Sequence, residues 1–325
     1  MNISEVHRQA VIIDGHCDTL LAVAAGRRSL LERSEEGHID LPRLQEAGVT
    51  AQVFALYVPA PHATYAPTAY ALRLIHHLYV AVEESGGALT LAREAADIEC
   101  AHADGRVAAI IGMEGAEPLD GSLELLHIFH RLGLRLLGLT WNRRNAVADG
   151  LDAQRTNGGL TPFGVRLVEA CHDLGIVIDV AHLAPRGVEE VLQIGTHPIV
   201  ASHANARALC DHPRNLTDEQ LQGIAERGGV VGATFVPQFI SEDPEQATLD
   251  RFLDHIAHMV EVMGADHVAL GSDFDGFDAT PPEGITSVVS LPRVTEGLAA
   301  RGFPPEVIRK ILGENWLRVF RVTWK

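Results

Sequence analysis

The chain has 325 residues, 46% of them apolar, with a mean hydropathy of +0.08. That is ample for a large buried core and excludes a mostly disordered chain. Its 43 Asp and Glu against 26 Lys and Arg give a formal charge of −17, which argues against nucleic acid or an anionic membrane as partner, since both need clustered cations. Only two of the basic residues are lysine, Lys310 and Lys325. The four cysteines (Cys17, Cys100, Cys171, Cys210) lie far apart with no CxxC pair, so neither a disulfide framework nor a Cys-type zinc site is expected. No apolar run reaches the roughly 18 residues of a membrane span. The sequence is strand-like by Val11, which leaves no room for a signal peptide. A soluble, cytoplasmic protein is the expectation.

In chain order, short apolar runs predict strands at Val11–Asp14, Ala51–Tyr57, Val107–Gly112, Arg135–Thr140, Ile176–Val180, Pro198–Ala201, Val230–Phe235 and His267–Gly271. Amphipathic stretches predict helices at Thr68–Glu84, Leu123–Leu132, Pro162–Leu174, Arg186–Ile194, Asp218–Arg227 and Leu249–Met263. Thr161-Pro162 and Thr217-Asp218-Glu219 read as helix starts, and Gly175, Gly228 and Gly264 as stops. Ala60–Ala103 reads as a crossover with extra helices. Pro304–Leu312 and Glu314–Arg321 read as helices packed outside. The strands are continuous apolar runs rather than alternating ones, as expected when both faces are buried. Eight β-then-α units point to an α/β fold, a (β/α)8 TIM barrel forming one domain over residues 1–325. An open doubly wound sheet is the runner-up, but no GxGxxG follows the first strand.

Catalysis in such a barrel sits at the C-terminal ends of the strands. The first predicted strand ends in Asp14-Gly15-His16-Cys17-Asp18, the third in Gly112-Met113-Glu114-Gly115 and the fifth in Asp179-Val180-Ala181-His182. The sixth ends in Ser202-His203 and the eighth in Ser272-Asp273-Phe274-Asp275-Gly276. Taken singly, each residue has a bland reading as a turn aspartate, a solvated loop carboxylate or a hydrogen-bonded loop histidine. Three histidines and three carboxylates arriving at one rim from five strands are harder to dismiss. The pairs His76-His77, His127/His130 and His255/His258 fall inside predicted helices and read as surface or packing residues.

Imidazole and carboxylate are the usual ligands of a hydrolytic zinc. Two divalent ions roughly 3.5–4 Å apart can clamp a carbonyl, and they need an anionic bridge. No lysine lies near a strand end, so a carboxylated lysine is excluded and Glu114 is the available bridge.

These motifs resemble the membrane (renal) dipeptidases and their bacterial homologues, within the amidohydrolase-type metal barrels. The resemblance runs through IIDGHCD (Ile12–Asp18), GMEGAEPL (Gly112–Leu119), LTWN…ADG (Leu139–Gly150) and VIDVAHL (Val177–Leu183). It continues through SHANARALCDHPRNLTDEQL (Ser202–Leu221), GSDFDG (Gly271–Gly276) and GENWLRVF (Gly313–Phe320). It implies a zinc-dependent dipeptidase in which His16, Asp18 and Asp273 hold one ion, His182 and His203 a second, and Glu114 bridges both. It further implies attack by a metal-bridged hydroxide, Asp273 as general base then acid, and Arg214 gripping the C-terminal carboxylate of L,L or L,D dipeptides. Two positions depart from the family: Trp141 stands where the mammalian enzymes carry a histidine, and Val236 where they carry a tyrosine. Trp141 and Asn142 are therefore carried as substrate-binding candidates, with Arg143, Arg144 and Asn145 as other replacements for that histidine. The rival readings are another amide, lactone or ester hydrolase on the same metal pair, and a non-catalytic barrel that carries a small ligand. A dipeptide is the expected partner, and a homodimer stays open.

Overall fold

A computed structural model describes residues 2–325. The apolar runs form nine strands: β1 (Ile13–Cys17), β2 (Ala51–Tyr57), β3 (Leu89–Leu91), β4 (Val107–Glu114), β5 (Leu134–Gly138), β6 (Val177–Asp179), β7 (Ile199–Val200), β8 (Val231–Ala233) and β9 (Val268–Leu270). Eight of them run in the order β7-β6-β5-β4-β2-β1-β9-β8, and all the pairings are parallel. A parallel bridge between Ala201 and Val231 brings the two ends together. This is the (β/α)8 barrel that the alternation of elements predicts.

Strand β3 is new. It pairs Leu89–Leu91 with Val107–Ala109 at the lower half of β4, while β5 takes the upper half from Ile111 onward. Three residues between Pro67–Glu84 and Ala95–Asp104 are too short a run to stand out from helical surroundings. A first helix, Ile3–Gln9, also precedes β1, capped by the Asn2 side chain, where the sequence pattern gives no element.

The C-terminal helices correct one expectation. Ile13, Ala51, Val53, Ala108, Ile110, Leu136, Val177, Val200 and Ala269, drawn from seven strands, form one apolar cluster with Trp316, Phe320 and Trp324 of the last segment. The helix Asn315–Thr323 thus closes the lower end of the barrel rather than packing outside it. Trp316 and Phe320, four residues apart on one face, stack at 5.7 Å, and Trp324, just past the end of the helix, stacks on Phe320 at 4.2 Å. The Trp316 indole donates to Leu270 O at 2.9 Å. A side chain at Gly15 would meet the Trp316 ring at 2.5 Å, so the approach requires glycine there. With the lower end filled, the upper rim is where a cavity opens. Among the described residues, no helix is long and apolar enough to cross a membrane.

Candidate active site

The strand ends bring all six predicted ligand candidates together. His16, Asp18 and Asp273 form one group of facing donor atoms, and His16, Glu114 and His203 form another. His16 Nε2 lies 3.3 Å from Asp18 Oδ2 and 3.7 Å from both Asp273 Oδ1 and Glu114 Oε2. The other oxygen of Glu114, Oε1, stands 2.9 Å from His182 Nε2 and 3.8 Å from His203 Nε2. Glu114 therefore offers one oxygen to each side. The two imidazoles of the second side face each other, Nε2 to Nε2, at 3.0 Å.

Each side hangs on the same backbone device, which the sequence reading did not single out. On one, the Asp14 carboxylate accepts from Ser272 N (2.7 Å) and Ser272 Oγ (2.5 Å), tying β1 to the turn that presents Asp273. On the other, Asp179 accepts from Ser202 N (2.8 Å) and Ser202 Oγ (2.5 Å), tying β6 to the turn that presents His203. The signal is visible in retrospect: an Asp two or three residues before a histidine, and a Ser immediately before the partner residue. The turns are tight. His182, Asp273 and Asp275 have φ of 67°, 59° and 67°, a left-handed conformation that side chains rarely adopt and that gathers at functional sites. Gly276 follows because a side chain there would collide with the carboxylates of Asp273 and Asp18.

The electrostatics of the two sides differ in sign. Burial opposes charge on His16, but Glu114, Asp18 and Asp273 outweigh it and carry the imidazolium up to about 10. Burial, joined by the Arg214 and His16 cations, holds His182 and His203 well below the usual imidazole range. Burial and then the Asp18 charge lift Glu114 well above the carboxylate range, and burial lifts Asp273 to about 7. This crowd of buried acceptors fits a divalent cation. Asp18 Oδ1 is buried with no hydrogen-bond partner, a costly state for a carboxylate unless a cation meets it. Nitrogen and oxygen donors of this kind suit zinc.

Arg214, Trp141 and Asn142 line a cavity of about 450 Å3 beside these groups, a size that suits a small molecule. Arg143, Arg144 and Asn145 do not: Arg143 donates to Val58 O, Arg144 pairs with Asp149 and Asn145 donates to Leu139 O. Arg214 is buried rather than a surface ion-pair residue. Its guanidinium donates to His203 O at 3.2 Å, lies 5.3 Å from the Phe239 ring centroid and leaves Nε without a partner. Trp141 forms a wall with Tyr57, ring centroids 5.3 Å apart. Asn142 lines the cavity, and its Oδ1 lies 2.7 Å from His182 Nδ1, so it also orients that ring. Val236 also lines the cavity.

Nothing in the sequence marks Tyr57 as part of the site. It pairs with Glu114 in the β2–β4 register, and burial together with the Glu114 charge pushes its phenol to about 12, so it stays a donor at neutral pH. Asp275, the other aspartate of SDFDG, turns away from the ligand groups. It accepts from Thr19 Oγ1 (2.6 Å) and His38 N (2.7 Å) and pairs with Arg28, anchoring the loop after β1.

Comparison with known proteins agrees with this geometry. The family model for membrane dipeptidase, peptidase family M19, matches residues 1–324. The chain belongs to the membrane dipeptidase family. It is similar to a metallopeptidase from Rhodobacter sphaeroides solved with a phosphinate mimic of L-Ala-D-Ala, at 35% identity and a TM-score of 0.89, covering 97% of this chain and 99% of that one. It is similar to the solved metallopeptidase called dipeptidase AC, at 37% identity and a TM-score of 0.91 with the same coverage. Dipeptidase tcpJ of Claviceps purpurea is 31% identical over 297 residues, 88% of this chain and 69% of that protein. As a member of the membrane dipeptidase family, the chain is a metallopeptidase of the dipeptidase type.

Proposed function

We propose that this member of the membrane dipeptidase family is a binuclear enzyme, built as one catalytic domain, that cleaves dipeptides with a free C-terminal carboxylate. The observation that carries the reading is Glu114, with one oxygen toward His16 and the other toward His182 and His203. His16, Asp18 and Asp273 would hold one divalent ion, His182 and His203 the other, and Glu114 would bridge them. Such ions, zinc by the chemistry of these donors, would supply Lewis acidity at the scissile carbonyl and would lower the pKa of water.

The chain's own groups do the rest. Asp273 lines the cavity and stands 3.7 Å from His16 Nε2. It accepts a proton from the attacking water and passes it to the leaving amine. Arg214 presents a planar fork from a buried, Phe239-backed position to the substrate carboxylate. Trp141 and Tyr57 form the wall against which a substrate side chain packs, and Asn142 steadies His182. The L-Ala-D-Ala mimic bound by the Rhodobacter sphaeroides relative supports testing L,D as well as L,L dipeptides.

The test is the carboxylate. Arg214→Met should lower kcat/KM by about 1.5–3 kcal/mol, the size of a lost charged hydrogen bond. Amidating the substrate's C-terminus should cost the unmodified enzyme about as much and the variant little more. Equal hydrolysis of free-acid and amidated dipeptides by the unmodified enzyme would replace this reading with a broader amide, lactone or ester hydrolase. The departures at Trp141 and Val236 make that the alternative to test against.

A further inference from the structure

His203 and His182 reach toward Glu114 with their Nε2 atoms, and each must therefore keep Nε2 free of a proton to serve as a ligand. A neutral imidazole carries one proton, and whichever group meets Nδ1 decides where it sits. At His182 that group is a neutral amide oxygen, Asn142 Oδ1, at 2.7 Å. At His203 it is a hydroxyl, Ser202 Oγ, also at 2.7 Å. A hydroxyl both donates and accepts, so its direction must be fixed from elsewhere.

Asp179 fixes it. The Asp179 carboxylate is buried, and Oδ1 accepts two backbone N–H groups, Ala181 at 2.9 Å and Ser202 at 2.8 Å. Its Oδ2 meets only Ser202 Oγ, at 2.5 Å. The hydroxyl has one proton and gives it to this carboxylate, so toward His203 it can only accept. The twin device on the far side is filled differently. There Ser272 Oγ lies 2.5 Å from Asp14 Oδ2 and 3.1 Å from His16 O, and it accepts from the backbone N–H of Phe274 at 3.1 Å. One serine holds backbone; the other holds an imidazole.

We propose that Asp179 and Ser202 are positioning residues that lock His203 as its Nδ1–H tautomer and so present a bare Nε2 to the metal centre before any ion is bound. The role rests on the metal-centre reading above, but the tautomer does not. With Asn142 doing the same for His182, two lone pairs face each other across 3.0 Å, beside Glu114 Oε1. The site is thus arranged for a cation and against a proton, and outer partners of this kind are typically worth about 10–100-fold in metal affinity.

The experiment uses the full chain in metal-free form, with nitrogen-15 labelled histidine and the His203 signal assigned from a His203→Gln sample. It then measures zinc affinity by competition with a chelator. The unmodified chain should show His203 protonated at Nδ1. Ser202→Ala should abolish that preference and weaken zinc binding about 10–100-fold. Ser202→Thr, which keeps the hydroxyl, should restore both, and Ser272→Ala should leave the His203 signal in place. A His203 protonated at Nε2 in the unmodified metal-free chain would overturn the proposal. So would a Ser202→Ala protein with unchanged tautomer and unchanged affinity. If the unmodified chain bound no zinc or other divalent ion, the metal-centre reading would fall and take the affinity role with it, while the nitrogen spectrum would still decide the tautomer.

Discussion

The two sides of the site share a scaffold and differ in chemistry. Both use a strand aspartate, Asp14 in β1 and Asp179 at the end of β6, to pin the Ser of the neighbouring turn, through paired bonds of nearly equal length. On the β1–β9 side the pinned turn presents Asp273 beside Asp18, and three carboxylates push His16 up to about 10. On the β6–β7 side the pinned turn presents His203, and burial keeps both imidazoles neutral. The first side gathers negative charge, and burial raises its Asp273 carboxyl to about 7. The second presents two neutral imidazole nitrogens. One clamp geometry therefore serves two ends with unlike tasks, and Glu114 offers one carboxylate oxygen to each.

A large effect on both sides at once follows from that position. Glu114→Gln removes the shared charge and should cost several kcal/mol of transition-state stabilisation, about 10³-fold in kcat. Metal analysis should show loss from both sides together. Selective loss of one ion would mean that the two sides are independent and the bridge assignment wrong.

The two aspartates of SDFDG sharpen the contrast within the first side. Asp273→Asn should cut kcat by about 10²–10⁴-fold, the usual worth of a positioned proton-transfer group, while the thermal midpoint changes little. Asp275→Asn should do the reverse, lowering stability by about 1.5–3 kcal/mol through its charged hydrogen bonds. Burial works to raise the Asp275 pKa, but His38, Arg28 and Thr19 outweigh it and hold the group at about 2. Its stabilising contribution is therefore complete above about pH 3.8, the unfolded value, and fades as pH falls toward about 2. Thermal melts of both proteins across that window should converge at the acid end. If Asp275→Asn abolished turnover and Asp273→Asn did not, the roles would be exchanged.

Much of this site is legible in the sequence because a barrel converts position along the chain into position at the rim. His16, Glu114, His182, His203 and Asp273 each end an apolar run, so knowing the fold nearly gives the site. What stays hidden is whatever depends on the path between elements. Asp14 and Asp179 look like ordinary strand-end carboxylates until the turns that they pin are seen. Tyr57 reads as the last residue of an apolar strand, and only the β2–β4 register sets it beside Glu114. Asp273 and Asp275 are equivalent in the sequence, and the positive φ at both gives no hint of which faces the ligands. The plug of Trp316, Phe320 and Trp324 has visible helical spacing, but spacing tells which face is apolar and not what covers it.

The two clamps also differ in how far they reach along the chain. Ser202 meets Asp179 across 23 residues, whereas Ser272 meets Asp14 across 258. Closing the longer loop costs about 2 kcal/mol more chain entropy by the logarithmic scaling of loop length. On a ribosome adding about 5–20 residues per second, the partner of Asp14 appears several seconds after the partner of Asp179. The imidazole side can therefore take shape on a nascent chain that has not yet made Asp273, the last of the six facing groups. Pulse-labelled hydrogen exchange during refolding should show the Ser202 amide protected before that of Ser272. Simultaneous protection would mean that the barrel closes in one step.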